Sequence, residues 1–188
     1  MLAGRLSPAA LASHQIAINC ASVTYMVPLG IASAAAVAVG QSIGRRHFSL
    51  ARREGFIAIS LGSAFMLCSA AVFLLIPEPL LRVYTDNVDV LRIGVHLLAL
   101  AALFQLFDGI QTVATGALRG LGNTRTPMLM NLAGYWVFGL PLGYVLCFSR
   151  GYGIYGLWIG LSAALIVIAL YLLYSWQRHS RQLVSPAA

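Results

Sequence analysis

The sequence predicts an all-α integral membrane protein with five membrane-spanning helices. Its 188 residues are 60% hydrophobic and only 9% charged, with a mean hydropathy of +0.83, whereas soluble domains carry about 25% charged residues. Crossing the roughly 30 Å hydrocarbon core takes about 20 helical residues, and five apolar stretches reach that length. We place the spans near residues 14–43, 55–76, 90–118, 127–148 and 154–176, within one transmembrane domain covering 1–188.

The first span contains a proline, and several spans contain paired glycines. Pro28 removes a backbone hydrogen bond and clashes with the preceding turn, so we expect a kinked or tilted first helix. Small residues four positions apart let two helix backbones approach closely. Such pairs are Gly40 and Gly44, Gly116 and Gly120, Gly139 and Gly143, and Gly156 and Gly160. We therefore expect tight helix contacts at these positions.

The third span holds Asp108, the only carboxylate deep inside an apolar stretch. An aspartate at the centre of a membrane helix costs about 2.5 to 3.5 kcal/mol on translocon scales, and such residues usually face a cavity or a bundle interior. Helical spacing places polar and aromatic neighbours on the same face as Asp108. These neighbours are Phe104, Gln105, Gln111, Thr112 and Thr115. The pattern indicates a wet pathway; the alternative is a structural acid among amides that hold helices together.

Polar residues on two other spans fit the same pathway. The first span carries Gln15 and Asn19, and the fourth carries Asn131 and Tyr135. We expect these four side chains to line the same cavity as Asp108.

The positions of the arginines predict the orientation of the spans, because short cytoplasmic loops carry an excess of basic residues. Eight arginines lie after the first and third spans and in the C-terminal tail: Arg45, Arg46, Arg52, Arg53, Arg119, Arg125, Arg178 and Arg181. Four lie at the opposite ends: Arg5, Arg82, Arg92 and Arg150. We therefore expect a cytoplasmic C-terminus and an outside N-terminus. Because five spans with an outside N-terminus and no evident signal peptide are unusual, we also expect the chain to be part of a larger bundle.

Several function classes find no support in the sequence. All 12 basic residues are arginines lying in short gaps between apolar runs, a pattern typical of membrane topology rather than of a nucleic-acid-binding face. The cysteines Cys20, Cys68 and Cys147 have no partner at metal-ligand spacing. Phosphate-binding glycine loops, nucleophile elbows and zinc motifs are absent from the sequence. We therefore expect neither an enzyme nor a cofactor.

Three stretches resemble the multidrug and toxic compound extrusion (MATE) family of secondary transporters. They are residues 9–44, residues 103–127, and residues 131–146 together with 155–161. Their order and spacing resemble the last five of the family's twelve helices. The resemblance implies two six-helix bundles, of which this chain would form most of the second, in a bacterial inner membrane. The missing N-terminal helices of the same transporter would then be its partners, together with the lipid bilayer.

The resemblance also implies an activity and a site. Relatives export cationic, lipophilic organic compounds in exchange for H⁺ or Na⁺, and an acid on the tenth helix takes part in cation binding. Asp108 occupies that position, and no metal other than Na⁺ at Asp108 is expected. Phe104, one turn earlier, has no hydroxyl where relatives carry a tyrosine, so only ring contact with a cation carries over. The family's acids on the seventh helix and in the first bundle have no counterpart here. The alternative is a non-transporting membrane subunit with Asp108 as a structural acid.

Overall fold

A computed structural model describes residues 8–184 and contains five helices that are long and apolar enough to cross a membrane. These spans are Pro8–Gly44, Phe48–Leu75, Val88–Gly120, Arg125–Ser149 and Gly153–Val184. A short helix, Pro77–Arg82, lies between the second and third spans. All regular elements in the described part of the chain are helices.

The helices are longer at several ends than the hydropathy pattern predicted. The first span begins at Pro8 instead of near residue 14, and the fifth continues to Val184 instead of ending near 176. The second span begins at Phe48, not near 55, because the turn that follows the first span takes up only a few residues. Arg52 and Arg53 therefore lie in the first turns of a helix rather than in a loop.

The third span is the centre of the bundle. It packs against the first, second and fifth spans, while the fourth span packs mainly against the fifth. The third span is parallel to the first, since Gly116 and Gly120 lie beside Ala32 and Ala36 in the same order. This central position surrounds the third span with other helices on several sides.

The glycine pairs lie at these interfaces, with one exception. A Cβ atom at Gly116 or Gly120 would overlap the first span, and one at Gly156 or Gly160 would overlap the fourth span. At Gly139 a Cβ atom would lie 2.9 Å from Cβ of Ala164 on the fifth span. A Cβ atom at Gly143 would lie 3.2 Å from the carbonyl oxygen of Leu157 on that span. The prediction of close contact was wrong for Gly44, which has no atom within 4 Å of such a Cβ among the described residues.

The fourth span contains two short π-helical segments, at Gly134–Gly139 and Val145–Ser149. Pro141 lies between them and cannot donate the hydrogen bond that a regular helix needs at that position. The backbone N–H of Leu140 bonds instead to the carbonyl of Tyr135, five residues back. Such local widening is common at functional sites in helices, and here it includes a residue predicted to line the cavity.

The order of the helices places the arginine-rich junctions at one end of the bundle. The Nδ2 atom of Asn123, between the third and fourth spans, lies 3.4 Å from Nε2 of His179 near the end of the fifth. The hydroxyl of Ser42 donates a hydrogen bond to Oε2 of Glu54 at 2.7 Å, across the junction between the first and second spans. Arg5, which belonged to the opposite group of arginines, lies outside the described residues.

Candidate functional site

The side chain of Asp108 lines a widely open cavity of about 430 Å³ on the bundle. The cavity lies between the first, third, fourth and fifth spans, and Asp108 itself is partly buried. Six predicted residues share the lining: Phe104, Asp108, Gln111, Thr112, Asn131 and Tyr135. The structure thus brings together the polar face of the third span and the two polar residues of the fourth.

One wall of this cavity is a chain of hydrogen bonds between the third and fourth spans. The Nε2 atom of Gln111 donates to Oδ1 of Asn131 at 2.8 Å. The hydroxyl of Tyr135 donates to Oε1 of Gln111 at 3.2 Å. Because both ends of the Gln111 amide are engaged, its orientation is fixed. Tyr135, which lies in the π-helical segment, is thereby held beside the third span.

Unlike the side chains of this wall, Asp108 has no hydrogen-bond partner in the described part of the chain. Among residues 8–184, its carboxylate accepts no hydrogen bond and forms no ion pair. The ion pair found in that part of the chain joins Arg82 and Glu78 at the exposed short helix, with Nη2 of Arg82 2.7 Å from Oε1 of Glu78. A buried charge normally needs a partner, so the free carboxylate is suited to receive a proton or a cation from the cavity.

A smaller apolar compartment of about 170 Å³ adjoins the cavity of Asp108. The two share four lining residues: Ile18, Phe104, Tyr135 and Trp158. The rings of Phe104 and Trp158 have centroids 5.8 Å apart at an interplanar angle of 38°. His14 lies against Trp158 edge-on and accepts a hydrogen bond at Nδ1 from the indole Nε1, at 3.0 Å.

Three residues predicted to line the cavity lie elsewhere. Gln105 is fully buried, and its Nε2 atom donates to Oγ1 of Thr24 at 3.0 Å and to Oγ of Ser69 at 2.9 Å. It therefore joins the first, second and third spans instead of facing the cavity. Gln15 and Asn19 are exposed on the first span and are not part of the lining.

The first span meets the cavity with a different face from the predicted one. Its lining residues include His14, Ile18, Ser22 and Tyr25, which recur at three- and four-residue intervals. At 3.6 residues per turn, Gln15 is rotated by about 100° from His14. The helical spacing from His14 to Tyr25 can be read from the sequence. A prediction based on polarity nevertheless selects Gln15 and Asn19, because the face that contains His14 also contains an isoleucine.

Within residues 8–184, no group of three or more His, Cys, Asp or Glu side chains is placed to hold a metal ion. Asp108 is the one carboxylate in the cavity lining, together with hydroxyl and amide groups. Apart from this carboxylate, the oxygen atoms that could bind a cation belong to neutral side chains. This donor set suits a monovalent or organic cation better than a transition metal.

Known proteins are similar to this chain along its whole length. Residues 1–145 match the family model described as MatE. The chain is 42% identical over 193 residues to the probable multidrug resistance protein NorM of Brucella suis biovar 1, covering 100% of this chain and 41% of that protein. It is 47% identical over 181 residues to the multidrug resistance protein NorM of Burkholderia vietnamiensis, covering 94% of this chain and 39% of that protein. The chain thus spans about two fifths of the length of these relatives.

Solved structures show the same fold. The Vibrio cholerae MATE transporter VcmN in the bent form matches with a TM-score of 0.85 at 20% identity, covering 97% of this chain and 41% of that chain. The eukaryotic MATE transporter AtDTX14 matches with a TM-score of 0.81 at 22% identity, covering 95% of this chain and 42% of that chain. The fold prediction of a helical membrane bundle of this type is therefore confirmed.

Proposed function

Because the chain belongs to the MATE family, a family of transporters and not of enzymes, we propose that it forms the cation-binding part of a secondary active exporter. The substrates are cationic, lipophilic compounds, and the driving ion is H⁺ or Na⁺. The share of its relatives' length, about two fifths, fits the last five of twelve helices. The remaining helices of the transporter are then its partners in the membrane.

The free carboxylate of Asp108 is the observation that carries this proposal. It faces a cavity of about 430 Å³ and is bonded to no other group of residues 8–184. One carboxylate can neutralise a proton, a sodium ion or an organic cation, but only one of them at a time. Competition for Asp108 would therefore couple entry of the ion to release of the substrate.

The surrounding residues supply the second part of such a site. Gln111, Asn131 and Tyr135 form a fixed polar wall, and Thr112 adds a hydroxyl on the same helix face. Phe104 offers an aromatic ring near the carboxylate, where a ring face attracts an organic cation within about 6 Å. The cavity therefore combines one negative charge with neutral polar and aromatic surfaces.

The alternative is that Asp108 is a structural acid in a non-transporting subunit. A structural acid would be expected to hydrogen-bond to a neighbouring helix, as Gln105 does with Thr24 and Ser69. The lack of any such bond to Asp108 among the described residues favours the binding role.

The family and the arginine distribution support a proposal for the membrane setting. We propose a bacterial inner membrane, with the arginine-rich end of the bundle and the C-terminus in the cytoplasm. Eight of the 12 arginines lie at that end, in agreement with the distribution of basic residues in membrane proteins.

Replacement of Asp108 by asparagine tests the proposal, because the amide keeps the shape of the side chain but cannot titrate. We expect Asp108→Asn to abolish ion-driven efflux in cells that produce the protein as its gene encodes it. Binding of tetramethylammonium to the purified protein should weaken about tenfold or more, as expected when a charge pair is lost. Asp86→Asn, which changes an exposed carboxylate in the turn before the third span, is the matched control.

The structural alternative makes the opposite prediction. It expects Asp108→Asn to reduce folded yield or thermal stability, since only packing would depend on the acid. Efflux at the wild-type rate, with unchanged dependence on pH and Na⁺, would remove Asp108 from the mechanism.

A further inference from the structure

The smaller compartment beside the cavity of Asp108 has the size of a single aromatic ring. Its volume is about 170 Å³, and its lining includes Phe104, Trp158, Leu161 and Leu165. A dry, apolar cavity of about 150 Å³ in another protein binds benzene. The compartment is therefore large enough for one six-membered ring.

The compartment and the cavity of Asp108 lie side by side, since Phe104 and Trp158 line both of them. A ligand whose ring and cationic group are a short distance apart would reach both spaces. The two spaces differ in chemistry, since the larger space contains a carboxylate and amides, whereas the smaller is lined mainly by aromatic and aliphatic groups, with the hydroxyls of Tyr135 and Ser162 and the imidazole of His14.

The indole ring of Trp158 is held in place from two sides. Phe104 packs on it at a centroid distance of 5.8 Å, within the range of favourable aromatic pairs. His14 accepts its N–H at 3.0 Å. Since an indole nitrogen only donates, Nδ1 of His14 must carry its lone pair, and the imidazole is in the neutral form with the proton on Nε2.

From this geometry we propose that Phe104 and Trp158 form a subsite for one aromatic ring of the exported cation, and that His14 is the residue that positions Trp158. The inference rests on the proposed function, because the positive group of the same ligand lies beside Asp108. It points to substrates in which a cationic group and an aromatic ring are separated by a short link, as in a benzylammonium ion.

Two probes separate the subsite from the charge. Tetramethylammonium carries the charge alone, and benzyltrimethylammonium carries the same charge with one ring. We expect the purified wild-type protein to bind benzyltrimethylammonium about tenfold or more tightly than tetramethylammonium, from burial of the ring. The ratio of the two dissociation constants measures the subsite.

Variants of His14 test the positioning role. His14→Leu removes the acceptor, and the affinity ratio should fall by about threefold or more, the size of an aromatic contact. His14→Asn places an amide oxygen near the position of Nδ1 and should restore the ratio. Trp136→Phe, which changes an exposed tryptophan outside the compartment, should leave the ratio unchanged and serves as the control.

The indole proton of Trp158 provides a spectroscopic signature of both contacts. Its NMR resonance, assigned by its loss in Trp158→Phe, should lie downfield in the wild-type protein and in His14→Asn, and move upfield in His14→Leu. Benzyltrimethylammonium should shift this resonance through its ring current, and tetramethylammonium should not. The affinity ratio of the two probes for the wild-type protein still tests the subsite if a variant fails to fold, and equal affinities would overturn it.

The outcomes separate this inference from the function on which it rests. Equal binding of both probes by Asp108→Asn and the wild-type protein would overturn the proposed function. If Asp108→Asn weakens both probes but His14→Leu keeps the wild-type ratio, or if the ring probe leaves the Trp158 resonance unmoved, then only the aromatic subsite is wrong.

Discussion

Gly116 in the third span lies directly against the backbone of Ala32 in the first span, and a Cβ atom at Gly116 would overlap the Ala32 carbonyl group. Backbone atoms cannot move aside as a flexible side chain can. We therefore expect Gly116→Ala to force the two spans apart and to destabilise the bundle by about 1 to 3 kcal/mol. Thermal unfolding of the purified protein in detergent measures the effect.

Gly30→Ala is the matched control for Gly116→Ala. Apart from its own stretch of helix backbone, no atom of residues 8–184 lies within 4 Å of a Cβ at Gly30, so the change should be neutral or gain up to about 1 kcal/mol from helix propensity. Equal unfolding temperatures for the two variants would show that the first and third spans are not in the close contact described.

A second prediction concerns the wall of hydrogen bonds beside Asp108. Tyr135→Phe removes the hydroxyl that donates to Oε1 of Gln111 and so releases one end of that amide. A typical hydrogen bond contributes about 0.5 to 1.5 kcal/mol, so the affinity for tetramethylammonium should fall by up to about tenfold. Tyr144→Phe, at an exposed tyrosine that packs on Phe148, should have no effect.

The binding measurement must be paired with a stability measurement. If Tyr135→Phe lowers the unfolding temperature and leaves affinity intact, the hydroxyl serves helix packing and the polar wall is not part of the binding site.

A third prediction separates the two glutamines that the sequence pattern assigned to the same cavity. Gln105 is fully buried, bonds to Thr24 and Ser69, and has an Oε1 atom with no partner among the described residues. Gln105→Ala should destabilise the protein by about 2 to 4 kcal/mol through the lost bonds and the space left behind. Gln15→Ala, on the exposed side of the first span, should stay within about 0.5 kcal/mol of wild type.

Neither glutamine variant should change the affinity of the folded protein for tetramethylammonium. A selective loss of affinity in Gln15→Ala would return that residue to the cavity. Similar unfolding temperatures for the two variants would mean that the buried amide does not hold the three spans together.

The sequence predicted the parts of this fold that depend on composition. Length and hydropathy located five spans, and the cost of a buried carboxylate singled out Asp108. The rotation of the first span could not be predicted, because that helix is apolar on most of its surface. Its orientation depends on tertiary contacts such as the one between Gly116 and Ala32, and these turn His14, not Gln15, toward the cavity.

The fourth span illustrates the same limit. Pro141 was visible in the sequence, but the π-helical segment at Gly134–Gly139 depends on how the chain redistributes its backbone hydrogen bonds against the fifth span. Gly139, the last residue of this segment, lies close against Ala164 of the fifth span. Polarity alone selected Tyr135 as a candidate lining residue, whereas its hydrogen bond to Gln111 could be identified only from the fold.

The last prediction concerns orientation, and it joins the helix order to the arginine distribution. Consecutive spans put the first and third junctions at one end of the bundle, where Asn123 meets His179, and eight arginines lie at that end. We therefore expect Ser49→Cys to be inside the cell and Asp86→Cys to be outside. Both positions are exposed, and neither replacement removes an arginine from the count that sets the orientation.

A membrane-impermeant thiol reagent distinguishes the two sides, in a background where Cys20, Cys68 and Cys147 are replaced by serine or alanine. Asp86→Cys should react in intact cells, whereas Ser49→Cys should react only after permeabilisation, because the bilayer separates the reagent from the cytoplasmic end. The permeabilised sample also shows that both thiols are accessible in the folded protein. Reaction of Ser49→Cys but not Asp86→Cys in intact cells would invert the orientation. The C-terminus would then lie outside, against the arginine distribution and against the proposed placement of the spans in the transporter.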